Sequence, residues 1–249
     1  MRTEIPWHED DDFWAVVEPA LFSEDRLAQA KPDVTGIVKL LSIESGARVL
    51  DLCSGPGRHA LELARQGFRV TAVDRTRVYL EHARKAARGL GLEIEFIEKD
   101  MREFVRPRAF DAVINMYTSF GFFDDDRENA RVLENIYASL RAGGSVLIDL
   151  NSKEIAARNF QERTWMEIDD VLLLIQQWAD QSWRSLETRW ILVRDGRTRE
   201  LRWKLRLYSS EELKNLLKST GFRAVRLYGA ITGAPFDRFA RRLVAVGRK

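Results

Sequence analysis

The chain has little of several features that define particular protein classes. It contains 1 cysteine, Cys53, and 3 histidines among its 249 residues. A single cysteine excludes an internal disulfide and suits the reducing cytoplasm, and so few thiols and imidazoles argue against a structural zinc site. No apolar run approaches the roughly 20 residues that a membrane-spanning helix needs. These absences predict a cytoplasmic protein with no membrane segment and no bound metal.

Charge of one sign is also scarce. Lysine and arginine number 40 and the acidic residues 38, so the net charge is +2 at pH 7, and no global field attracts nucleic acid or an anionic membrane. The N-terminus carries Glu4, Glu9 and a run of aspartates from Asp10 to Asp12, which is unlike a secretory signal. A hydrophobic content of 45% and this length are typical of one large globular domain, with or without an insertion.

Strand and helix patterns alternate through the first 150 residues. Residues 7–45 have the spacing of helices, with Trp7 and Trp14 among the apolar positions. Apolar segments typical of strands follow at residues 47–52, 68–74, 93–97, 109–116 and 145–150. Helical patterns separate most of them, at residues 57–66, 76–89 and 124–140. Near-continuous apolar strands between helices predict a parallel sheet covered on both faces.

After Asn151 the alternation stops. Four successive strand patterns occupy residues 165–168, 171–178, 183–193 and 199–207. Asp195-Gly196 lies where a tight hairpin turn would connect two of them. Ser209 and Glu212 have the spacing of a helix capping box, and two final strand patterns follow at residues 222–228 and 242–247.

The predicted fold class is therefore α/β, with a doubly wound, mostly parallel seven-stranded sheet and an antiparallel β insertion after the fifth strand. We divide the chain into an N-terminal helical cap, a core in two parts and an inserted antiparallel region. Their bounds are residues 1–45 for the cap, 46–150 and 208–249 for the core, and 151–207 for the insertion.

The segment from Val49 to Ala60, VLDLCSGPGRHA, carries the strongest functional signal. It has the order of a buried strand, a glycine turn and a helix start. Gly55 and Gly57 allow a tight turn and the close approach of a ligand to the backbone. The unpaired N–H groups of the following helix point at that ligand, and Asp51 places a negative charge at the end of the strand. This combination predicts a cofactor site.

Polar residues also follow the next strands. Asp74 ends the second strand 17 residues after Gly57, where an acid accepts hydrogen bonds from ribose hydroxyls, each worth roughly 1.5–3 kcal/mol. Asp100, after the third strand, can accept from an adenine amino group while the backbone beside it donates to the ring. Asn115 and Tyr117 lie where the fourth strand ends. In open α/β sheets, ligands bind at these carboxyl ends.

These motifs resemble those of the class I S-adenosylmethionine-dependent methyltransferases over about residues 45–150. LDLCSGPG matches the first motif, in which the family usually carries glycine at the position of Cys53. Val73-Asp74 matches the ribose-binding acid and Lys99-Asp100-Met101 the adenine-binding segment; residues 110–114 and 140–144 match the following strand and the turn before the fifth strand. The resemblance implies a Rossmann-like methyltransferase core that binds S-adenosyl-L-methionine, with the methionine amino group near the glycine turn.

On this basis we predict ten cofactor-binding residues: Asp51, Cys53, Gly55, Gly57, Asp74, Arg75, Asp100, Met101, Asn115 and Met116. Tyr117 is the candidate catalytic residue, packing beside or contacting the reacting atoms; the alternative is a core aromatic at a strand end. His59 is either a general base or a residue packed at the helix start. Methyl transfer depends mainly on alignment and the exclusion of water, so it requires no catalytic triad.

Other functions stay open at this point. The string GPGRHA also satisfies a dinucleotide fingerprint, although Asp51 would repel a pyrophosphate and attract a cationic ligand, which argues against an NAD(P)-dependent oxidoreductase. Arg199, Arg202, Lys204 and Arg206 form a basic strand that either binds RNA, as in an RNA methyltransferase, or is simply solvated. A module that binds the cofactor without catalysis is a further alternative.

We predict that the chain is a methyltransferase that transfers a methyl group from S-adenosylmethionine to nitrogen or oxygen of a small-molecule acceptor by in-line displacement. The inserted strands resemble those of small-molecule N- and O-methyltransferases, which implies that they roof the substrate pocket or form a dimer contact. The expected partner is the acceptor rather than nucleic acid or a membrane, and the expected state is a monomer or a homodimer.

Overall fold

The computed structural model describes residues 5–168 and 170–249. Residues 1–4 of the predicted cap and Asp169 of the predicted insertion lie outside them. The strands are β1 (Arg48–Leu52), β2 (Arg69–Asp74), β3 (Ile94–Glu98), β4 (Phe110–Asn115), β5 (Leu140–Leu150), β6 (Arg163–Ile168), β7 (Val171–Ala179), β8 (Ser185–Arg194), β9 (Arg197–Arg206), β10 (Arg223–Tyr228) and β11 (Leu243–Arg248). The α-helices are α1 (Asp11–Leu21), α2 (Glu24–Ala28), α3 (Ala30–Leu41), α4 (Arg58–Arg65), α5 (Arg77–Gly89), α6 (Asp126–Ser139), α7 (Lys153–Arg158) and α8 (Ser210–Thr220).

A seven-stranded sheet in the order β10-β11-β5-β4-β1-β2-β3 forms the centre of the molecule. Only β11 runs antiparallel to its neighbours β5 and β10; the other pairs are parallel. Neighbouring residues of β1 enter different hydrophobic clusters. Leu50 packs with residues of α6 and α8, and Val49 packs with residues of α3 and α4. Helices therefore cover both faces, and the predicted doubly wound, mostly parallel sheet is confirmed.

The inserted strands form a second sheet, antiparallel throughout, in the order β6-β7-β8-β9. Asp195 and Gly196 connect β8 to β9 with φ values of 49° and 71°, the left-handed geometry that tight hairpins need. The capping box between Ser209 and Glu212 is formed at the start of α8. The predicted antiparallel insertion and both local signals are confirmed.

Three local predictions need correction. The helical pattern of residues 7–45 breaks into a 3-10 turn (Trp7–Glu9) and three helices, because the Asp10 side chain accepts from the Asp12 N–H at 2.9 Å and starts α1 afresh. The inserted region opens with the helix α7, which strand patterns did not predict and which Ser152 caps. Helix α6 ends at Ser139, so Leu140 begins an irregular extension of β5.

No helix among residues 5–168 and 170–249 combines the length and the apolarity that crossing a bilayer requires.

Gly36 offers a test of the packing between α3 and the loop before β11. Replacing a helical glycine with alanine usually stabilises a protein by about 1 kcal/mol, but a Cβ at Gly36 would overlap the Ile231 carbonyl oxygen. We expect Gly36→Ala to destabilise the protein by roughly 1–3 kcal/mol in urea unfolding. Gly89→Ala in α5 meets nothing within 4 Å and should be stabilising. If Gly36→Ala stabilised the protein, the loop that carries Ile231 would have to move aside at little energetic cost.

Candidate active site

A cavity of about 320 Å³ lies at the carboxyl ends of β1, β2 and β4. Its lining includes seven of the ten predicted cofactor-binding residues: Cys53, Gly55, Asp74, Arg75, Asp100, Met101 and Met116. The candidate catalytic residue, Tyr117, lines the same cavity. Asp51, Gly57 and Asn115 are buried and do not line it.

The glycine turn forms the part of the wall that follows β1. Gly55 has φ +55°, which favours glycine, and a Cβ there would lie 3.0 Å from the Phe22 ring and crowd it. Gly57 precedes α4 with φ +84°, and a Cβ there would come within 2.9 Å of Ala83 in α5. The two glycines therefore serve different purposes: one borders the cavity and the other lets α4 and α5 pack closely.

Cys53 occupies the position at which the family usually has glycine, and its backbone explains that preference. Its φ is +63°, a region that costs a non-glycine residue about 1–2 kcal/mol. Hydrogen bonds from the N–H groups of Cys53 and Ser54 to the Val73 carbonyl oxygen, at 2.8 and 3.0 Å, hold the turn in place. The Cys53 Sγ lies 3.4 Å from the Met101 Sδ.

The Cys53 thiol should be unreactive. Burial and the neighbouring carboxylates of Asp74 and Asp100 raise its pKa well above the usual value, so little thiolate forms at pH 8. We expect iodoacetamide to alkylate the folded protein at least about tenfold more slowly than the urea-unfolded protein, followed by mass spectrometry. Equal rates in both states would contradict this environment.

Asp74 connects the end of β2 to the glycine turn. Its Oδ2 accepts the Gly55 N–H at 2.7 Å and its Oδ1 accepts the Thr76 N–H at 2.8 Å. Burial raises the pKa of Asp74, and these two N–H groups oppose that rise. Each carboxylate oxygen retains a further lone pair, so the side chain can hold the turn and accept from a ligand at once.

Asp100 lies within a network that reaches the N-terminal region. Both of its oxygens accept from Arg102, at 2.7 Å for Oδ2, and Arg102 also binds Glu9 at 2.7 Å. Burial acts to raise the pKa of Asp100, but the Arg102 hydrogen bonds outweigh it and the pKa is lowered. Arg75 makes a similar link, to Asp11 at 3.0 Å. The segments that follow β2 and β3 are thus tied to Asp11 and Glu9 of the N-terminal region.

Asp51 and Asn115 form a buried layer under the cavity. Asp51 is 1% exposed, and its Oδ2 has no hydrogen-bond partner within the described chain. Burial raises its pKa to about 6, with the Asp74 charge adding to the rise and His59 opposing it. Asn115 donates from Nδ2 to the Leu52 carbonyl oxygen at 3.0 Å. An unpartnered buried carboxylate oxygen suits a cationic group in the adjoining cavity.

The backbone at Tyr117 and Thr118 is strained and firmly held. These consecutive residues have φ values of +55° and +66°. The Tyr117 N–H donates to the Asp149 Oδ2 at 3.1 Å, and the Thr118 N–H donates to the Asp149 carbonyl oxygen at 2.9 Å. Arg242 donates to both carboxylate oxygens of Asp149, at 2.8 and 2.9 Å. Such over-determined strain is characteristic of functional sites.

The side chain of Tyr117 is fixed as well. Its hydroxyl donates to the Asp33 Oδ2 at 3.2 Å, and the Arg58 guanidinium lies 3.8 Å from the centre of its ring. His59 Nε2 lies 3.3 Å from the same Asp33 oxygen. The histidine is therefore buried at the start of α4 in a polar cluster, consistent with either role considered for it.

Aromatic side chains from three parts of the chain line the cavity together with the glycine turn. We call them the aromatic roof; they are Trp7, Phe13, Trp14, Phe122 and Trp203. The Trp7 and Phe122 ring centres are 4.9 Å apart, and those of Phe13 and Trp203 are 5.5 Å apart. The N-terminal region and the second sheet thus both contribute to the cavity.

Sequence reasoning missed four charged residues of this site: Asp33, Arg58, Asp149 and Arg242. Asp149 carried a usable signal, since it is an acid at the carboxyl end of the apolar strand SVLIDL. Asp33 and Arg242 had none, because they reach Tyr117 and its neighbour from 84 and 124 residues away. The assignment of individual residues to the cofactor stays a prediction.

Comparison with known proteins agrees with this architecture. A family model described as a methyltransferase domain matches residues 49–144. The cypemycin N-terminal methyltransferase of a Streptomyces species is 23% identical over 235 residues, 92% of this chain and 95% of that protein.

Solved structures show the same fold. An S-adenosylmethionine-dependent methyltransferase from Clostridium acetobutylicum superposes with a TM-score of 0.77 at 16% identity, over 96% of this chain and 98% of that one. CalS10, an amino pentose methyltransferase of Micromonospora echinaspora solved with S-adenosylmethionine bound, gives 0.58 at 22% identity, over 98% and 92%. Residues 49–144 thus match a methyltransferase domain, and the whole chain has the fold of S-adenosylmethionine-dependent methyltransferases.

Proposed function

We propose that this chain is an S-adenosylmethionine-dependent methyltransferase that acts on nitrogen or oxygen of a small-molecule acceptor inside the cavity beneath the aromatic roof. The observation that carries the proposal is the enclosure of one cavity by the carboxyl ends of the main sheet, the N-terminal region and the second sheet. Its volume lies within the roughly 300–1,000 Å³ of small-molecule sites. Trp203 and Trp190 of the second sheet line it together with Asp74, so acceptor and cofactor would share one space.

The residues present fit the cofactor. Asp74 would accept from the ribose hydroxyls and Asp100, with its remaining lone pair, from the adenine amino group. Gly55 leaves the backbone open to the methionine part, and the unpartnered Asp51 oxygen supplies the negative potential that its cationic end requires. Cys53, Met101 and Met116 would pack against the apolar surfaces of the bound cofactor.

When bound, S-adenosylmethionine supplies an activated methyl group on a good leaving group. The chain itself has to align the acceptor and exclude water, for which the aromatic roof is suited. Alignment of this kind is worth roughly 7–11 kcal/mol, compared with roughly 3–5 kcal/mol for a positioned acid or base. Tyr117, clamped at its backbone, ring and hydroxyl, is the residue that we place beside the reacting atoms.

Ion pairing on β9 weakens the RNA alternative. Arg202 binds Glu200 at 2.9 Å, Lys204 binds Asp124 at 3.1 Å and Arg206 binds Asp126 at 3.0 Å. Basic side chains that are already neutralised release few counterions from a phosphate backbone. CalS10 and the cypemycin enzyme match 98% and 92% of this chain, whereas a relative named for ribosomal RNA matches 35% of it. The relatives that match most of the chain therefore favour acceptors smaller than RNA.

Calorimetric titration with S-adenosylhomocysteine, with NADH in parallel, tests the site first. We expect S-adenosylhomocysteine to bind with micromolar affinity and NADH not to bind. Binding of NADH alone would contradict the inference that Asp51 repels a pyrophosphate. Transfer of a labelled methyl group to a panel of small amines and alcohols, with total RNA as a second substrate, then tests the acceptor class. If RNA were methylated at low salt only and none of the small molecules were methylated, the proposal would be overturned in favour of an RNA methyltransferase.

A further inference from the structure

From the direction of one hydrogen bond we infer that the Tyr117 phenolic oxygen recognises an N–H group of the acceptor, so that the enzyme methylates amines rather than hydroxyls. The inference rests on the proposed function and narrows its acceptor class. Tyr117 would be a catalytic residue that touches the acceptor, and Asp33 a positioning residue that acts through it.

The proton of the Tyr117 hydroxyl is already committed. It is donated to the Asp33 Oδ2 at 3.2 Å, and Asp33 is 8% exposed and paired with Arg58 at 3.6 Å. An ionised carboxylate can only accept hydrogen bonds, so the phenolic proton points away from the cavity. The phenolic oxygen keeps two lone pairs, and no donor in the described part of the chain reaches it.

The oxygen is also held where an acceptor would be. Tyr117 lines the cavity and is 41% exposed, while the Arg58 guanidinium covers one face of its ring at 3.8 Å. The Asp149 and Arg242 contacts fix the backbone from which the ring projects. An oxygen that can only accept, in a fixed position, selects a donor from the ligand.

An amine meets this requirement throughout the reaction. The nitrogen lone pair forms the new C–N bond while the C–S bond breaks and its electrons remain on sulfur, so positive charge moves from sulfur to nitrogen. The N–H that Tyr117 accepts becomes a stronger donor as that charge grows, and the Asp33 carboxylate behind the phenol adds to the stabilisation. The proton of the product ammonium then leaves to water.

A hydroxyl acceptor gains no such support. Its single O–H can donate to Tyr117, but the oxygen that attacks must lose that proton to a base for a neutral ether to form. The Tyr117 oxygen can take up a proton only if its own proton moves to Asp33, which is already engaged by Arg58 and His59. The cluster therefore favours nitrogen over oxygen.

Matched pairs of acceptors test the inference with the whole chain and S-adenosylmethionine. We would compare benzylamine with benzyl alcohol, glycine with glycolate, and glucosamine with glucose. Methylation confined to amines is expected. Tyr117→Phe should lower kcat/KM for the methylated amine by roughly 10–100-fold, the range for a hydrogen bond to a charged group, with S-adenosylhomocysteine affinity within about twofold of wild type. Tyr137→Phe, on α6 beside Phe222, is the matched control.

The role of Asp33 is separable from a structural one. Asp33→Asn should lower amine turnover by about tenfold, and in the Tyr117→Phe background it should lower it no further, because it acts through the hydroxyl. Additive losses would overturn the positioning role. Hydroxyl compounds methylated as fast as amines, or Tyr117→Phe equal to Tyr137→Phe, would overturn the inference alone. Bound S-adenosylhomocysteine with no pair methylated would instead remove the proposed function, and the inference with it.

Discussion

Replacing Asp74 with alanine lowers the affinity for S-adenosylhomocysteine by at least about 100-fold, which is the largest effect that we expect from one substitution. Two charge-assisted hydrogen bonds to a ribose are worth roughly 3–6 kcal/mol together. The Gly55 N–H also loses its partner at 2.7 Å, so the glycine turn loosens at the same time. Both effects weaken binding, and calorimetry measures their sum.

Glu98→Ala is the matched control for Asp74→Ala. Glu98 is the partner of Asp74 in the register of β2 and β3, and it is an exposed carboxylate at the same edge of the sheet. Its removal changes the net charge equally but should leave the affinity within about twofold of wild type. If the two variants bound equally well, Asp74 could not be the ribose-binding residue.

Replacing Asp51 with asparagine stabilises the fold above pH 6 and weakens cofactor binding. The folded pKa of Asp51 is raised from 3.8 to about 6 by burial, so the native state holds its proton more tightly than the unfolded state. Wild-type stability therefore falls as the pH rises from about 4 to about 6. At 1.36 kcal/mol per pKa unit, the wild type loses about 3 kcal/mol of stability. The Asp51→Asn variant does not lose it, because asparagine does not ionise.

Urea unfolding at pH 4 and pH 7 measures this effect. Asp51→Asn should match the wild type within about 1 kcal/mol at pH 4 and exceed it by roughly 2–3 kcal/mol at pH 7. Asp195→Asn, in the exposed β8–β9 hairpin, controls for the loss of one carboxylate. If the difference in unfolding free energy between the variant and the wild type did not change with pH, the Asp51 carboxylate would not be destabilised by burial. The affinity of the Asp51→Asn variant for S-adenosylhomocysteine should be about tenfold lower than that of the wild type. The variant would thus be more stable and less functional.

The sequence predicted those parts of the site that depend on local order. Asp51, Asp74 and Asp100 each follow an apolar strand, and parallel strands bring their carboxyl ends to one edge, so their neighbourhood followed from the pattern alone. The hairpin at Asp195-Gly196 and the capping box at Ser209 were predictable because a turn or a cap is encoded within four residues.

The remainder depended on contacts between distant segments. The aromatic roof requires the N-terminal region and the second sheet to meet, and nothing in the spacing of Trp7 or Trp203 states that they do. Tyr117 was a candidate from its place after β4, but its orientation depends on Asp33, 84 residues away. Asp100 was predicted as an acceptor for the adenine amino group; its hydrogen bonds from Arg102, which also binds Glu9, depend on docking of the N-terminal region.

The strained backbone at Tyr117 and Thr118 has a consequence for the order of folding. Its clamp joins β5 to Arg242 beside β11, and β11 lies between β5 and β10 in the sheet. Long-range contacts of this kind form only after the intervening loop has closed. The nascent chain can thus complete β1 to β4 and still leave Tyr117 in a relaxed conformation. The Arg242 part of the clamp requires β11 to be in place beside β5, so the acceptor side of the site depends on the last strand of the chain.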